Sequence, residues 1–353
     1  MTNIPIFSQE NSYTPPTYRP LVTVAIPTYN AAGFIKPTLD SLSTQTYTNY
    51  ETLVVDDASS DDTCAIIEHY GFSSLRTIRN KVNRGCTYTI PLCAELARGE
   101  ILVYLCHDDI LSPIALERIV SAFRNPEIGA TTRPYFFFEG TVYDCPNRVA
   151  PPLDPHHDVI VHFDDNYHTI HGLVQTLGQL SAMAFRKSFM KVPFSKDVFT
   201  VHVQAFLGIL CEHPVVALSD YILAVRTDTS QSRSVPKIYQ TSPLESWDRM
   251  LHRVFHEPRY ARTLHYCRKV ICTNNDIGLV QIKCAGGQLA LLREIWISIK
   301  VWPMNTIRPF FLFWSFITLL MPRKMLRKTI DWLKNLIGPR IYRDVKLVMA
   351  SSK

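Results

Sequence analysis

Several signatures are missing from this sequence, and each absence removes a function class. The nine cysteines, at 64, 86, 93, 106, 145, 211, 267, 272 and 284, include no C-x-x-C pair and are odd in number. That argues against a disulfide framework and against a zinc site. No G-x-G-x-x-G follows the first apolar run, which disfavours a dinucleotide fold, and no G-x-x-x-x-G-K-[ST] occurs, which excludes a P-loop. There is no G-x-S-x-G nucleophile elbow. Residues 1–20 lack a charged segment leading into an apolar one, so they read as a polar, flexible leader and not as a secretory signal. The most apolar run, Phe310 to Met321, has 12 residues, about 18 Å as a helix against a hydrocarbon core of about 30 Å. Together these absences point to a reducing, cytoplasmic setting.

What is present is a globular composition, with 46% apolar residues and a net charge of +6 over 353 residues, enough for one large domain or two. Leu21 to Ile26, Glu51 to Val55, Leu75 to Arg79 and Ile101 to Leu105 read as buried strands, the first stopped by Pro27. Between them lie helical patterns. One is capped by Asn30, with Ile35, Leu39 and Leu42 on one face. One is opened by Asp61 and Asp62, carrying Ile66, Ile67 and Tyr70. A third spans 86–98, holds Pro91 and is closed by Gly99 as a left-handed cap. Ser112-Pro113 reads as the N-cap and first position of a fourth. Strands alternating with helices at this spacing predict βαβ units and a largely parallel sheet. Residues 131–185 are aromatic and proline-rich, with Leu180 to Phe185 readable as a strand. Histidines 156, 157, 162, 168 and 171 there show no metal-ligand spacing. Beyond about 235 the pattern turns helical.

Ligands of open parallel sheets bind at the C-terminal strand edge. Three strand ends carry chemistry to that edge: Pro27-Thr28-Tyr29, Asp56-Asp57 and Asp108-Asp109. Convergent carboxylates suit a divalent cation bridging to substrate phosphates, since Mg²⁺ and Mn²⁺ take oxygen ligands. An acidic group also suits the N–H of a nucleotide base, with the Tyr29 ring stacking on it. A solvated loop with good helix caps is the plainer alternative for any one of these stretches.

Six segments together resemble family 2 glycosyltransferases of the GT-A fold. They are Val24-Ala25-Ile26-Pro27-Thr28-Tyr29-Asn30, Ser41-Leu42 with Gln45-Thr46-Tyr47, Val54 to Thr63, Asn83-Arg84-Gly85, Leu96 to Glu100, and His107-Asp108-Asp109. The resemblance covers roughly residues 21–135, in the family's order and spacing. It implies an α/β, Rossmann-like, mostly parallel sheet flanked by helices. Residues 21–235 would form the GT-A domain, with a donor half to 135 and an acceptor half from 136, and 236–353 a helical extension. It also implies inverting transfer of a sugar, hexosyltransferase-like, from a nucleotide-diphosphate donor (usually UDP-linked) with Mg²⁺ or Mn²⁺. Pro27 and Tyr29 would frame the base, Asp57 would hydrogen-bond it, and Arg84 would reach the donor. Asp108 falls on the metal-binding Asp, with Asp109 beside it.

The chain departs from the family in two places. Cys106 stands where many members have an Asp. The acceptor-side base, an Asp in the family, is replaced by Val201-His202, which leaves His202 or Asp197 as candidates. Asp228 likewise stands where a His is common. A catalytically inactive GT-A module that binds nucleotide-sugar, or serves as an assembly partner, is therefore the rival reading. A sugar nucleotidyltransferase would want a glycine-rich basic loop after the first strand, which Pro27 to Asn30 is not. The tail at 310–340, apolar and then basic and amphipathic through Ile330, Leu333, Leu336 and Ile337, suits peripheral contact with the inner membrane face and a saccharide or lipid-linked acceptor. The rival is a buried helix with a solvated basic face. Nucleic acid is not an expected partner, because the basic tail lacks interleaved aromatics.

Overall fold

A computed structural model of the protein describes residues 18–71, 74–138, 149–226, 236–274, 276–326 and 328. The expectations for most of the leader, for Asp228 and for Ile330 to Ile337 fall outside these residues. Residues 21–135 follow the predicted alternation. Strand β1 (Val22–Thr28), helix α1 (Ile35–Ser43), β2 (Tyr50–Asp56), α2 (Thr63–Tyr70), β3 (Leu75–Arg79), α3 (Cys86–Leu96) and β4 (Ile101–Tyr104) come in order. After them come β5 (Ile110–Leu111), α4 (Ala115–Ala122), β6 (Ala130–Thr132), β7 (Tyr135–Phe138), β8 (Val149–Ala150), β9 (Val159–Val161) and α5 (Tyr167–Thr176). Strand β10 (Ala184–Arg186), α6 (Val201–Leu210), β11 (Val215–Ala217) and β12 (Leu223–Arg226) complete the sheets. Four longer helices follow: α7 (Pro243–Val254), α8 (Ala261–Thr273), α9 (Gly278–Val301) and α10 (Pro309–Leu320).

The main sheet has the order β3-β2-β1-β4-β10-β6-β11-β9, and a smaller one runs β5-β12-β7-β8. The first four strands are parallel, as expected. Strand β10 is antiparallel to both β4 and β6, and so reverses direction at mid-sheet. The strands read as continuous apolar runs because both faces are covered. Val22, Val24, Ile26, Val54, Ile101 and Val103 face α1 and α4. Their alternates Ala25, Leu53, Val55, Leu102 and Tyr104 face α3, α6 and the later helices. Met250, Leu251 and Val254 of α7 and Cys267 and Val270 of α8 belong to that second core. By contrast, α9 and α10 share a small core of their own, with Leu279, Val280 and Leu291 against Phe311 and Trp314.

Four local expectations are corrected. Pro27 does not stop β1; it pairs with Val55 inside the strand. Its nitrogen faces the β4 side, where pairing ends at Ala25, so the missing N–H costs no ladder bond. Asn30 is not a helix cap: it takes φ +47°, and its side-chain oxygen accepts Ser60 N–H at 2.9 Å. Ser112 precedes α4 by a turn because its N–H is drawn to Ile222 O at 2.9 Å, extending the β5 pairing. Gly99 is not a left-handed cap either. Helix α3 ends at Leu96 with Ala97 extended.

Gly99 is needed for close approach. A Cβ there would stand 2.5 Å from Thr23 N, 2.7 Å from Leu21 O and 2.9 Å from Ile101 O. All three are backbone atoms at the start of the β1–β4 pairing. Gly99→Ala should therefore lower the unfolding free energy by about 1–3 kcal/mol, read as a lower urea midpoint. Gly33, with nothing within 4 Å of its Cβ position, is the control, and Gly33→Ala should change it by less than about 0.5 kcal/mol.

Candidate active site

Strands β1 and β2 end side by side, Thr28 opposite Asp56. Both Asp56 and Asp57 are buried, which is tolerable only if their oxygens are satisfied. Asp56 accepts Ser59 N–H at 3.1 Å, the Ser59 hydroxyl and the Cys64 thiol at 3.4 Å, and pairs with Arg79 Nε at 3.3 Å. Asp57 accepts Asn80 Nδ2 at 2.7 Å, Arg84 N–H at 3.0 and 3.1 Å, and Gly85 N–H at 2.7 Å. Its two oxygens are thus filled from β3 and from the start of α3, so it fixes the 80–85 loop. The segment after β2 is stitched to the segment after β1 in the same way. Ser59 Oγ accepts Asn30 N–H at 2.8 Å, Thr63 Oγ1 accepts Ala31 N–H at 2.7 Å, and Asp61 accepts Ala32 N–H at 3.1 Å. Pro27 is half-buried, while Tyr29 is 38% exposed. The Arg84 guanidinium lies 3.4 Å over the Tyr88 ring, a cation–π contact that holds it at the surface.

The end of β4 supplies the acidic turn. Ligand atoms of Cys106, Asp108 and Asp109 lie within 4.8 Å of one another. Asp109 is buried; it accepts the Ser181 hydroxyl at 2.5 Å and Arg226 N–H at 2.9 Å. Ser181 Oγ in turn accepts Cys106 N–H at 2.8 Å. His107 Nδ1 sits 3.3 Å from Pro27 O, tying this turn to the β1 end. Burial, then the neighbouring Asp108 charge, pushes the Asp109 carboxyl up to about 8. Burial, with Asp109 and Asp108 adding to it, also pushes the Cys106 thiol far up, so it stays protonated. At about 8 the Asp109 carboxyl is itself mostly protonated at neutral pH, so the donor set is Asp108, on the more open side, with Asp109 joining it once a cation displaces its proton. That set fits a hard divalent cation that keeps oxygens from a substrate phosphate.

Sequence reasoning missed three partners of this turn. Arg133 is wholly buried, donating to Gln179 O at 2.9 Å, and burial lowers it only to about 10, so it stays charged. Ser181 and the Arg226 backbone N–H complete the set. The left-handed φ of +56° at Ala182 is the local feature that turns Ser181 inward, and residue type alone does not announce it.

The two base candidates are placed differently. His202 opens α6, with its Nε2 3.0 Å from Leu177 O. Burial, opposed by that contact, lowers the imidazole to about 4, so at neutral pH the ring is uncharged, with Nε2–H as donor and Nδ1 as acceptor. Asp197 has one oxygen on Phe199 N–H at 3.1 Å and the other on the Ser246 hydroxyl of α7 at 2.6 Å. It lines a small cavity of about 180 Å³ with Arg249 and Arg253, which includes no residue of the strand-end loops.

The Glycosyl transferase family 2 model matches residues 23–192. Residues 23–192 form a family 2 glycosyltransferase domain. An uncharacterized glycosyltransferase of Rickettsia typhi is 36% identical over 105 residues, 30% of this chain and 32% of that one. The chain spans about a third of the length of the curated relatives it matches. TarS 1–349 of S. aureus in complex with UDP superposes with a TM-score of 0.60 at 15% identity, covering 88% of this chain and 91% of that one. The mannosyltransferase PcManGT of Pyrobaculum calidifontis, in complex with GDP-Man and Mn²⁺, gives 0.55 at 20% identity, covering 88% and 90%. These likenesses establish the GT-A fold. The family match stops short of Asp197 and His202, and of the four long helices.

Asp57→Asn puts an amide donor among three N–H groups. It should lower the melting temperature, by about 1–3 kcal/mol in stability, read by thermal melting. His202 has a depressed folded value, so its contribution to stability is complete above about pH 6.5 and is lost as the pH falls toward about 4. The drop in melting temperature between pH 7 and pH 5 should therefore shrink in His202→Gln, whose amide can still donate to Leu177 O.

Proposed function

We propose that the protein transfers a hexose, with inversion, from a nucleotide-diphosphate donor to a saccharide or lipid-linked acceptor of polysaccharide or cell-envelope assembly. One observation carries this reading: the loops after β1, β2 and β3 are hydrogen-bonded to one another at the sheet edge that also holds the Asp108–Asp109 turn. Ligands of open α/β sheets bind outside such an edge. The UDP and GDP-Man bound by the two solved neighbours support the donor class.

In this reading Pro27 and the exposed Tyr29 ring frame the base. Asp57 acts by setting the Arg84–Gly85 turn beside it and not by reaching into solvent. Asp108 and Asp109 would hold Mg²⁺ or Mn²⁺. When bound, the cation would supply Lewis-acid neutralisation of charge on the departing diphosphate. Asp109, anchored by Ser181 and Arg226 N–H, keeps the Asp108 carboxylate at the open side.

Inverting transfer needs a proton acceptor at the incoming hydroxyl. His202 is the group offered there, with Nδ1 as the acceptor atom. A ring at about 4 is a weak base, so it accepts a hydrogen bond from the hydroxyl first and the proton only as the new bond forms. The same weakness favours the second reading, a catalytically inactive module that binds nucleotide-sugar or serves in an assembly.

A panel of UDP- and GDP-sugars incubated with Mn²⁺ or Mg²⁺ separates the two. Hydrolysis or transfer with one donor supports the enzyme, whereas calorimetric binding without turnover on any donor and acceptor supports the inactive module. In the active case, Asp108→Asn should reduce turnover about 100-fold or more, a loss of about 2.7 kcal/mol or more of charge stabilisation. His202→Ala should reduce transfer while leaving donor binding within about twofold, the pattern of a group met only by the acceptor.

A further inference from the structure

Helix α10 contains no charged residue, and its two faces are apolar in different ways. Phe311, Trp314, Ser315 and Thr318 are buried, the two aromatics against Leu279, Val280 and Leu291 of α9. The C-terminal end is pinned by Lys283 Nζ, which donates to Thr318 O at 2.6 Å and Leu319 O at 3.1 Å. The helix is therefore fixed in place by one side. On the other side, Leu312, Phe313, Phe316 and Leu320 form one stripe at helical spacing, with Phe316 61% and Leu320 66% exposed. Ile307 before the helix and Met325 after it are exposed as well. A helix bordering water presents polar residues outward, and a contiguous exposed apolar stripe marks an interaction surface.

Charge identifies the occupant. Residues 295–330 include no Asp or Glu and six cations: Lys300, Arg308, Arg323, Lys324, Arg327 and Lys328. Arg308 is committed to Asp276 at 2.7 Å, whereas Arg323, Lys324 and Lys328 are exposed just beyond the stripe. A second copy of the chain on this face would bring an all-basic segment against itself. A bilayer with anionic headgroups takes the large apolar side chains at the acyl boundary and meets the lysines and arginines with phosphate. Among the described residues no helix is long and apolar enough to cross a membrane, and α10 has only 12 residues.

We propose that α10 docks the protein on an anionic lipid surface, lying in the interface with Leu312, Phe313, Phe316 and Leu320 inserted and Arg323, Lys324 and Lys328 on the headgroups. The contact needs no sugar nucleotide, so its test is separate from that of transfer. The full chain is sedimented with vesicles of phosphatidylcholine alone and of phosphatidylcholine mixed with phosphatidylglycerol. Binding is expected to the mixed vesicles, weakened by salt and about tenfold or more by Phe316→Glu with Leu320→Glu. Lys324→Glu with Lys328→Glu should remove most of the preference for the mixed vesicles. Phe316→Ser with Leu320→Ser gives the same reading if the glutamates perturb folding, checked by thermal melting. No vesicle binding by the full chain, or binding unchanged in the apolar double variants, overturns the proposal. So does a dimer in light scattering that those variants split without lipid, because the face is then a self-contact.

Discussion

Two carboxylates at the end of one buried strand set the conditions for the whole sheet edge around them. An ionised carboxylate out of water is costly unless its oxygens are hydrogen-bonded, and Asp56 and Asp57 are both buried. The donors must therefore come from nearby chain. Asp56 draws in Ser59 and Arg79, and Asp57 draws in Asn80, Arg84 and Gly85. These ties fasten the turn after β2, the end of β3 and the 80–85 loop to one strand end. The loops that would meet a nucleotide are thus held by the requirement to satisfy two acids, and the Asp57 N–H to Thr28 O bond at 2.8 Å joins β1 to the same frame.

The acidic turn after β4 is held from the opposite side by the smaller sheet. Strand β12 brings Arg226 N–H to Asp109 while pairing with β5 and β7. Ser181, just before the central antiparallel strand β10, completes the grip. The reversal of direction at β10 therefore has a function: it returns the chain to the β4 end, where Ala182 N–H reaches Tyr104 O at 2.6 Å. Helices α7 and α8 close the face opposite α1 and α4, and Asp197 serves that closure through Ser246.

Features carried by residue type and period could be read from the sequence. The buried parallel strands, the helix stripe of Ile35, Leu39 and Leu42, the paired acids and the family resemblance were all of this kind. Features carried by backbone geometry could not. Asn30 looks like a cap but adopts a left-handed conformation because Ser59 and Ser60 bind it across the gap. Gly99 looks like a helix terminator but is small because β1 runs against it. Arg133 has the composition of a surface residue and is buried under carbonyls of the 176–179 segment. The Arg226 contribution to Asp109 is made by an N–H that any non-proline residue has.

The last point extends to the whole edge. Arg84, Gly85, Asn30, Ala31, Ala32 and Arg226 all join the frame through main-chain N–H groups. At Ala31, Ala32 and Arg84 these ties ask nothing of the side chain, whereas Asn30 also holds Ser60 N–H through its side-chain oxygen. Exchanging the side chain at 84 would leave its main-chain tie to Asp57 in place. An edge tied through main-chain N–H groups can exchange its outward side chains without losing the frame that holds it.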